Sequence, residues 1–525
     1  MSTTDAQANM RQPPDASPPS NARQPSSTPA TAGTARLSQG VAITGLALYV
    51  VFAPHSIAGA WIGLAVAIAG WIARTLLTRR WGDMVRRTPL DLPLWFFFAW
   101  SVVAAFMSAE PRISLAKLGS VSTFVIFYIT QAIITRRNAV WLAALLVASG
   151  VAGALWSVAE VARGRGVCIE ALADTSPLLT VRDLRPGDCI WRVNRRRVAS
   201  VPEIDDALRA TPPDTPLALS VISRGEHVEW TGPLLTGEIK FAPSPSGLMS
   251  AGPTRRFRAS GWTRHYETFA EALQIIAQLA LGFALAFFQR RAVPPRGRDE
   301  HRRRLVVLCA FAFIVLAAGI ALTAMRTTLV AFAVGALVVA WRGGAGASRK
   351  ARFAVILAVT FVLSLGALAV WRTRAAGALR LQDASSQSRV QVARVALARV
   401  PMRPVFGHGM DAMHRHWREW GFPGNDMLHT HSTPLQIAFD RGLPALALWL
   451  WLLAALWLFV ARAERMRRAL ADDVAAHGLL LGAVGAVTGF AASSLVNYNF
   501  GDAEIALLLW WLSGTVAGLI NNARQ

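Results

Sequence analysis

Two histidines stand at positions 429 and 431 in "LHTHSTPLQIAFDRGLP" (428–444), just ahead of a long apolar run. An unperturbed imidazole titrates near pH ~6.5, so His429 or His431 could take or give a proton close to neutrality. Three arginines, Arg258, Arg326 and Arg389, fall at the edges of apolar runs, and Arg326 in "LTAMRTTLVAF" has no acidic neighbour. Arginine keeps its charge when partly buried, and its planar fork suits oxyanions. Arg264, Arg403 and Arg441 are further cations near the same segments. Ionisable groups at a membrane boundary are costly to place and are usually retained for a task. The residue types therefore speak for proton transfer beside a bound anion.

The surrounding elements must be mostly membrane helices. The chain has 525 residues, 53% hydrophobic and 16% charged, with a mean hydropathy of +0.37. Soluble domains carry about 25% charged residues. Apolar windows near the ~20 residues needed to cross a hydrocarbon core recur along the sequence, about twelve in all. They lie near 40–55, 58–76, 91–108, 116–134, 138–160, 267–288, 304–324, 327–342, 352–371, 434–461, 474–495 and 503–521. The glycine-leucine-proline step at 442–444 reads as the opening of the tenth.

A net charge of +23 raises the possibility of nucleic-acid binding, but its distribution argues otherwise. Basic runs at 74–87, 135–138, 289–304, 341–352 and 461–468 each follow an even-numbered window. The positive-inside rule places these loops and both termini in the cytoplasm. No aromatic-interleaved basic domain accompanies them, so no nucleic-acid partner is expected. Residues 1–38, rich in Pro, Ser, Thr, Ala and Gln, read as a disordered cytoplasmic tail without a signal-peptide core.

Two regions between the windows are polar. In 161–240, strands at 167–171, 189–193 and 217–222 bracket a Pro-Gly-Asp turn and a helix at 203–209. Leu184, Pro186, Gly187, Asp188, Ile190, Val193 and Asn194 follow the pattern "L-x-P-G-D-x-I-x-x-V-N". The segment resembles a bacterial PDZ domain, a fold that captures peptides by strand addition. So little chain separates window five from Gly166 that a spacer or docking role fits better than peptide capture. Cys168 and Cys189 fall here; they read as two free, buried thiols, since a bridge needs strands to cooperate. Cys309 reads as a buried span residue.

The second polar region, 372–433, carries most of the chemistry. Arg389, Pro404, Gly407, Gly409, His429 and His431 form a progression of "S-x-R", "P-x-x-G-x-G" and "H-x-H-S". His431, Ser432 and Gly442 have the spacing His, small polar residue, nine residues, Gly; Arg258, Ser260 and Gly261 precede another apolar run. These patterns resemble the signature of the O-antigen ligase and polymerase family, over roughly residues 255–520. Ala445 stands where the family has Gly, Thr or Tyr, and Met325 where it often has Ser.

The resemblance implies an all-α polytopic membrane protein of GT-C-like character, with a small periplasmic α+β PDZ-like insert. Its organisation would be tail 1–38, helices one to five 39–160, insert 161–240, helices six to nine 241–371 with their preceding periplasmic loop, catalytic loop 372–433, and helices ten to twelve 434–525. The implied donor is a glycan on undecaprenyl pyrophosphate, in a bacterial inner membrane with chemistry on the periplasmic face. His431 would be the general base, with His429 as its alternative or its orienting partner. Arg258, Arg326 and Arg389 would hold the pyrophosphate, and Ser432 and Gly442 support the motif. No metal or other cofactor is expected: His408, His414 and His416 cluster in sequence, but no carboxylate or cysteine joins them at ligand spacing. The acceptor stays open among a lipid A core sugar, the growing glycan and a protein, with a protein partner also conceivable at the insert. Rival readings are a lipid-linked glycan transporter and a membrane scaffold.

Overall fold

The computed structural model describes residues 29–79, 86–174, 176–180, 184–212, 215–223, 226–231, 243–250, 252–289, 298–344, 384–424, 429–469 and 473–521, with 356, 360 and 364. The expected span at 352–371 (those isolated positions aside), the stretches 372–383 and 425–428 and most of the expected tail lie outside them. Among the described residues, ten helical segments are long and apolar enough to cross a membrane, one of them (111–133) made of several short helices in succession, and Asp91–Met107 is a shorter apolar helix.

The chain opens with α1 (Pro29–Phe52) and α2 (Ile57–Thr78). Helix α1 begins inside the segment read as tail, because proline fits a first helical turn and the stretch after it contains no further proline. The pair packs backbone to backbone: a Cβ on Gly63 would stand 2.4 Å from the Tyr49 amide nitrogen. Small residues allow such close approach where lipid supplies no hydrophobic drive. After α3 (Asp91–Met107), the window expected at 116–134 is not one helix. It is α4 (Pro111–Ala116), α5 (Leu118–Val121), a 3₁₀ turn and α6 (Val125–Ile133). The Ser120, Ser122 and Thr123 hydroxyls each donate to the carbonyl three residues back, competing with the helical ladder.

Helix α7 (Arg136–Arg163) leads into the insert, a six-stranded sheet of order β5-β4-β2-β1-β6 with β3 beside β2. Its strands are β1 (Val167–Leu172), β2 (Cys189–Val193), β3 (Arg196–Arg197), β4 (Ala218–Ser223), β5 (Glu226–Thr231) and β6 (Leu248–Ser250), all paired antiparallel. Ile204 and Leu208 of α8 (Val201–Arg209) bury against Ile190, Leu219 and Val221. Strands β1, β2 and β4 lie where alternation placed them; β5 and β6 went unread. Cys168 and Cys189 are not free thiols. They are cross-strand partners on β1 and β2 and form a disulfide. Facing positions on an antiparallel pair bring the two Cβ atoms within bonding reach, and that register is not written in composition.

The bundle continues with α9 (Tyr266–Gln289), α10 (Arg298–Leu322), α11 (Arg326–Gly343), α12 (Ala384–Arg399), the short α13 (Ala412–Arg415), α14 (Thr433–Ala469), α15 (Val474–Ser494) and α16 (Ala503–Asn521). Helix α9 is the hub, buried along nearly its whole length from Thr268 to Ala286.

The glycine-leucine-proline step does not open α14, which starts at Thr433; it breaks that helix in the middle. Gly442 sits at φ 83° and ψ 173°, a region open essentially to glycine alone. Pro444 has no N–H for the Asp440 carbonyl four residues back. The Leu443 N–H turns away to the Pro404 carbonyl at 2.7 Å. The freed carbonyls find other donors: the Phe439 oxygen accepts from the His408 N–H at 2.8 Å, and the Asp440 oxygen from Gly409 at 3.0 Å. The Arg441 oxygen accepts from the Trp100 indole at 3.1 Å. The Pro404–Gly409 turn is thus bound into the helix it interrupts.

Gly442→Ala would drive a Cβ to 2.0 Å from the Val405 carbonyl oxygen. The strained backbone and the clash together should cost about 3 kcal/mol. Thermal melting of the detergent-solubilised protein should fall by several degrees; an unchanged melt would show that the break is not held as described. Alkylation of denatured, unreduced protein should tag Cys309 alone, and all three cysteines after reduction. Three tagged cysteines without reductant would contradict the cross-strand bridge.

Candidate functional site

The loop that carries the histidines is fixed from several sides. The Thr430 N–H donates to the Gln436 side-chain oxygen at 2.7 Å, from the first turn of α14. Thr433 donates from both backbone and hydroxyl to the Asn497 carbonyl, at 3.1 and 2.9 Å. The His431 N–H donates to His429 Nδ1 at 3.2 Å. That Nδ1 must be unprotonated, so the neutral His429 ring carries its proton on Nε2. The two rings lie edge to face with centroids 4.4 Å apart, and His429 also meets the Tyr498 ring at 5.3 Å. His431 adopts φ 55°, a left-handed conformation uncommon outside glycine and of the kind that collects at functional positions.

Burial sets the electrostatics of the pair. It lowers the His431 pKa from 6.5 to about 3, with His429 and Arg389 adding to the fall. Burial lowers His429 as well; Glu267 and Asp502 oppose this and Arg389 adds to it. Both rings are therefore neutral at ordinary pH. Among the described residues no hydrogen bond occupies the His431 ring, which leaves it able to accept a proton.

Two of the three arginines engage the first turn of α9, and the third stands next to residues that engage its second turn. Arg389, on α12, donates to Glu267 at 3.0 Å and acts electrostatically on both histidines. Arg258 is buried with its guanidinium 4.3 Å from the centre of the Tyr266 ring. Arg326 opens α11 directly before Thr327 and Thr328, and Thr328 donates to Glu271 at 2.9 Å. The reserves scatter. Arg264 and Arg403 are exposed, and Arg441 is buried over Phe97 beside the helix break.

The other histidines take separate partners. His408 Nε2 donates to the Arg399 carbonyl at 3.0 Å, its ring stacked on Phe439. His414 is exposed. His416 faces two carboxylates, Glu419 at 2.6 Å and Glu110 at 2.8 Å, which raise its pKa. Neither carboxylate had been paired with it by spacing. Among the described residues, no three His, Cys, Asp or Glu side chains converge as a metal site would require.

Sequence reasoning missed Tyr266, Glu267, Glu271, Asn497, Tyr498 and Asp502. The signal for two of them was present: Glu267 and Glu271 are four residues apart at the head of an otherwise apolar helix, and acids in such a place are rare without a purpose.

Residues 310–450 match the family model described as O-antigen ligase. The chain carries an O-antigen ligase family domain. No curated protein matches the chain. The O-antigen ligase match runs from within α10 into α14, so it takes in Arg326, Arg389, His429, His431, Ser432 and Gly442. It excludes the insert, Arg258, α9 and the Asn497 loop. By the length and composition of its helices this is a multi-pass membrane protein, and the match covers residues 310–450 of it.

A base works only when unprotonated. With its pKa near 3, His431 stays unprotonated across about pH 5 to 8, so kcat/KM for transfer should have no acid limb near 6.5. An acid limb with that midpoint in the wild-type protein would show that the ring is not desolvated as described.

Proposed function

We propose that this protein is an inner-membrane glycosyltransferase that moves a preassembled glycan from undecaprenyl pyrophosphate to a periplasmic acceptor. The observation that carries the reading is a half-buried, neutral His431, its ring without a hydrogen bond among the described residues, in electrostatic reach of Arg389 and inside the segment matched by the family model. His431 takes the proton of the acceptor hydroxyl as its oxygen attacks the anomeric carbon. The bond from that carbon to the pyrophosphate oxygen breaks, and the electron pair leaves with undecaprenyl pyrophosphate. In-line displacement inverts the anomeric centre.

Arg258, Arg326 and Arg389 bind the diphosphate and stabilise the charge that grows on it. Arg389 is already paired with Glu267, so the incoming diphosphate competes with a carboxylate for its fork. His429 orients the loop through its Nδ1, with Ser432 and Gly442 shaping the two ends of the segment. No metal takes part in this scheme.

The site face is assigned to the periplasm. Support comes from the disulfide in the insert, a bond that persists in oxidising compartments, and from the basic runs at the other ends of the helices. On this reading the architecture is GT-C-like, and the insert is a PDZ-like module. Strand β6 already lies along β1, the edge where an added peptide would pair, which favours docking or spacing over peptide capture.

His431→Ala should abolish transfer of a lipid-linked glycan by the purified protein, with expression intact. Arg389→Ala and Arg326→Ala should each lose about 10² or more in turnover, and lysine at either position should restore little, because a point charge lacks the fork. Full turnover in His431→Ala would overturn the base; lysine variants equal to wild type would overturn the two-bond clamp.

A further inference from the structure

The site described above leaves one buried group unused. Glu271 lies one helical turn beyond Glu267 on α9 and is only 3% exposed. Among the described residues no ion pair reaches it, yet its Oε1 collects several donors. Thr328 and Asn497 donate to it, each at 2.9 Å, and the Ser493 hydroxyl donates as well. Thr328 lies on α11, whereas Ser493 and Asn497 lie at the end of α15 and in the loop after it.

Following those donors outward leads to the site twice. Asn497 receives the Thr433 N–H and hydroxyl on its backbone carbonyl, and Thr433 is two residues from His431. The Asn497 amide also donates to Thr327 at 3.2 Å, and Thr327 follows Arg326. Asn499 takes a second share, its side-chain oxygen accepting from Ser494 at 2.8 Å and standing 3.2 Å from the Thr433 hydroxyl. One acceptor oxygen therefore ties the start of α11, the loop after α15 and the start of α14 to the hub helix. An isolated carboxyl group this far from water is expensive, and a hydrogen-bonded polar network that is satisfied at Oε1 also fixes a unique arrangement.

We propose that Glu271 is a positioning residue for the transfer reaction: through Asn497 and Thr433 it holds His431 at the place where it meets the acceptor hydroxyl. The inference rests on the reading of His431 as the base. What the network requires from position 271 is an acceptor oxygen, which glutamine also supplies, and not a charge. Arg258 and Arg389 are held independently, by Tyr266 and Glu267, so loss of the Glu271 acceptor moves the base more than it weakens the donor site.

The test uses the full-length purified protein and a lipid-linked glycan donor. Glu271→Met removes the acceptor at similar volume. Turnover should fall by about 10²-fold, the scale of a misplaced catalytic group, with KM for the donor within about threefold. Glu271→Gln should stay within about threefold of wild type in turnover. Asn497→Ala breaks the same link from the other side, so the double variant should lose no more than either single one; independent effects would multiply. Size-exclusion profile and melting temperature identify any variant lost to misfolding, and Asn497→Ala carries the test if Glu271→Met is one.

Wild-type turnover in Glu271→Met, or multiplied losses in the double variant, overturns the proposal. So does a glutamine variant as weak as the methionine one. His431→Ala, run in parallel, separates the two levels: if it is inactive while Glu271→Met is unaffected, only the positioning role falls. If His431→Ala is fully active, the base assignment falls and this inference with it.

Discussion

A membrane helix has no water to satisfy its backbone, so every carbonyl released by a break must meet a donor from the protein. The interruption of α14 at Gly442 to Pro444 imposes that condition on the rest of the site. Three successive carbonyls, from Phe439 to Arg441, are left without helical partners or share them, and they take the N–H groups of His408 and Gly409 and the Trp100 indole. Those donors in turn determine where the Pro404–Gly409 turn and α3 can lie. Gly407 is required by that contact, since its Cβ would sit 2.4 Å from the Arg441 amide nitrogen, while Gly409, whose N–H serves the break, is required on its other side, where a Cβ would sit 2.7 Å from Ser114 Oγ. The glycines of the "P-x-x-G-x-G" pattern and the distant Gly442 are one structural feature, the closing of a helix break by a turn.

The second ordering element is the head of α9. Tyr266, Glu267 and Glu271 each engage a different carrier of site residues: the Arg258 guanidinium, the Arg389 guanidinium, and the Thr328–Asn497 network. Because α9 is buried on nearly every side, its polar side chains face protein and have few alternative partners. The same exclusion of water that makes these hydrogen bonds strong holds His431 neutral. Rigidity of the site and neutrality of its histidine thus share a cause.

Much of this was legible in the sequence because membrane helices announce themselves by length and hydropathy, and the insert strands by alternation. The closeness of His429 and His431 stands in the sequence itself, whereas Arg389 and Gly442 were singled out through the resemblance to the family pattern. What could not be read was tertiary. The disulfide depends on the register of β1 against β2, which puts Cys168 opposite Cys189. The break in α14 looked like a helix start, since Gly-Leu-Pro is compatible with either and only the turn docking at 404–409 distinguishes them. The broken helix at 111–133 follows from hydroxyls bonding their own backbone, a local competition that a hydropathy window averages away. Glu267 and Glu271 were visible but were passed over as part of an apolar run.

The insert is not a separate body hung on the bundle. Past β6, Thr254 pairs with Arg165 at the foot of β1, its N–H donating to the Arg165 carbonyl at 3.1 Å and its carbonyl accepting in return at 2.8 Å. Phe257 then buries against Cys189 and Trp191, and the Arg165 guanidinium stacks 4.3 Å from the Phe257 ring and 4.6 Å from that of Trp191. The next residue is Arg258, stacked on Tyr266 at the head of α9. The Ala259 N–H closes the path by donating to Leu322 at the end of α10, at 3.0 Å. A disulfide-stapled sheet, a packed aromatic and a buried arginine are therefore consecutive links in one strand of chain. The position of Arg258 is set from the insert on one side and from the bundle on the other, so the sheet outside the membrane and the helices within it meet at that residue.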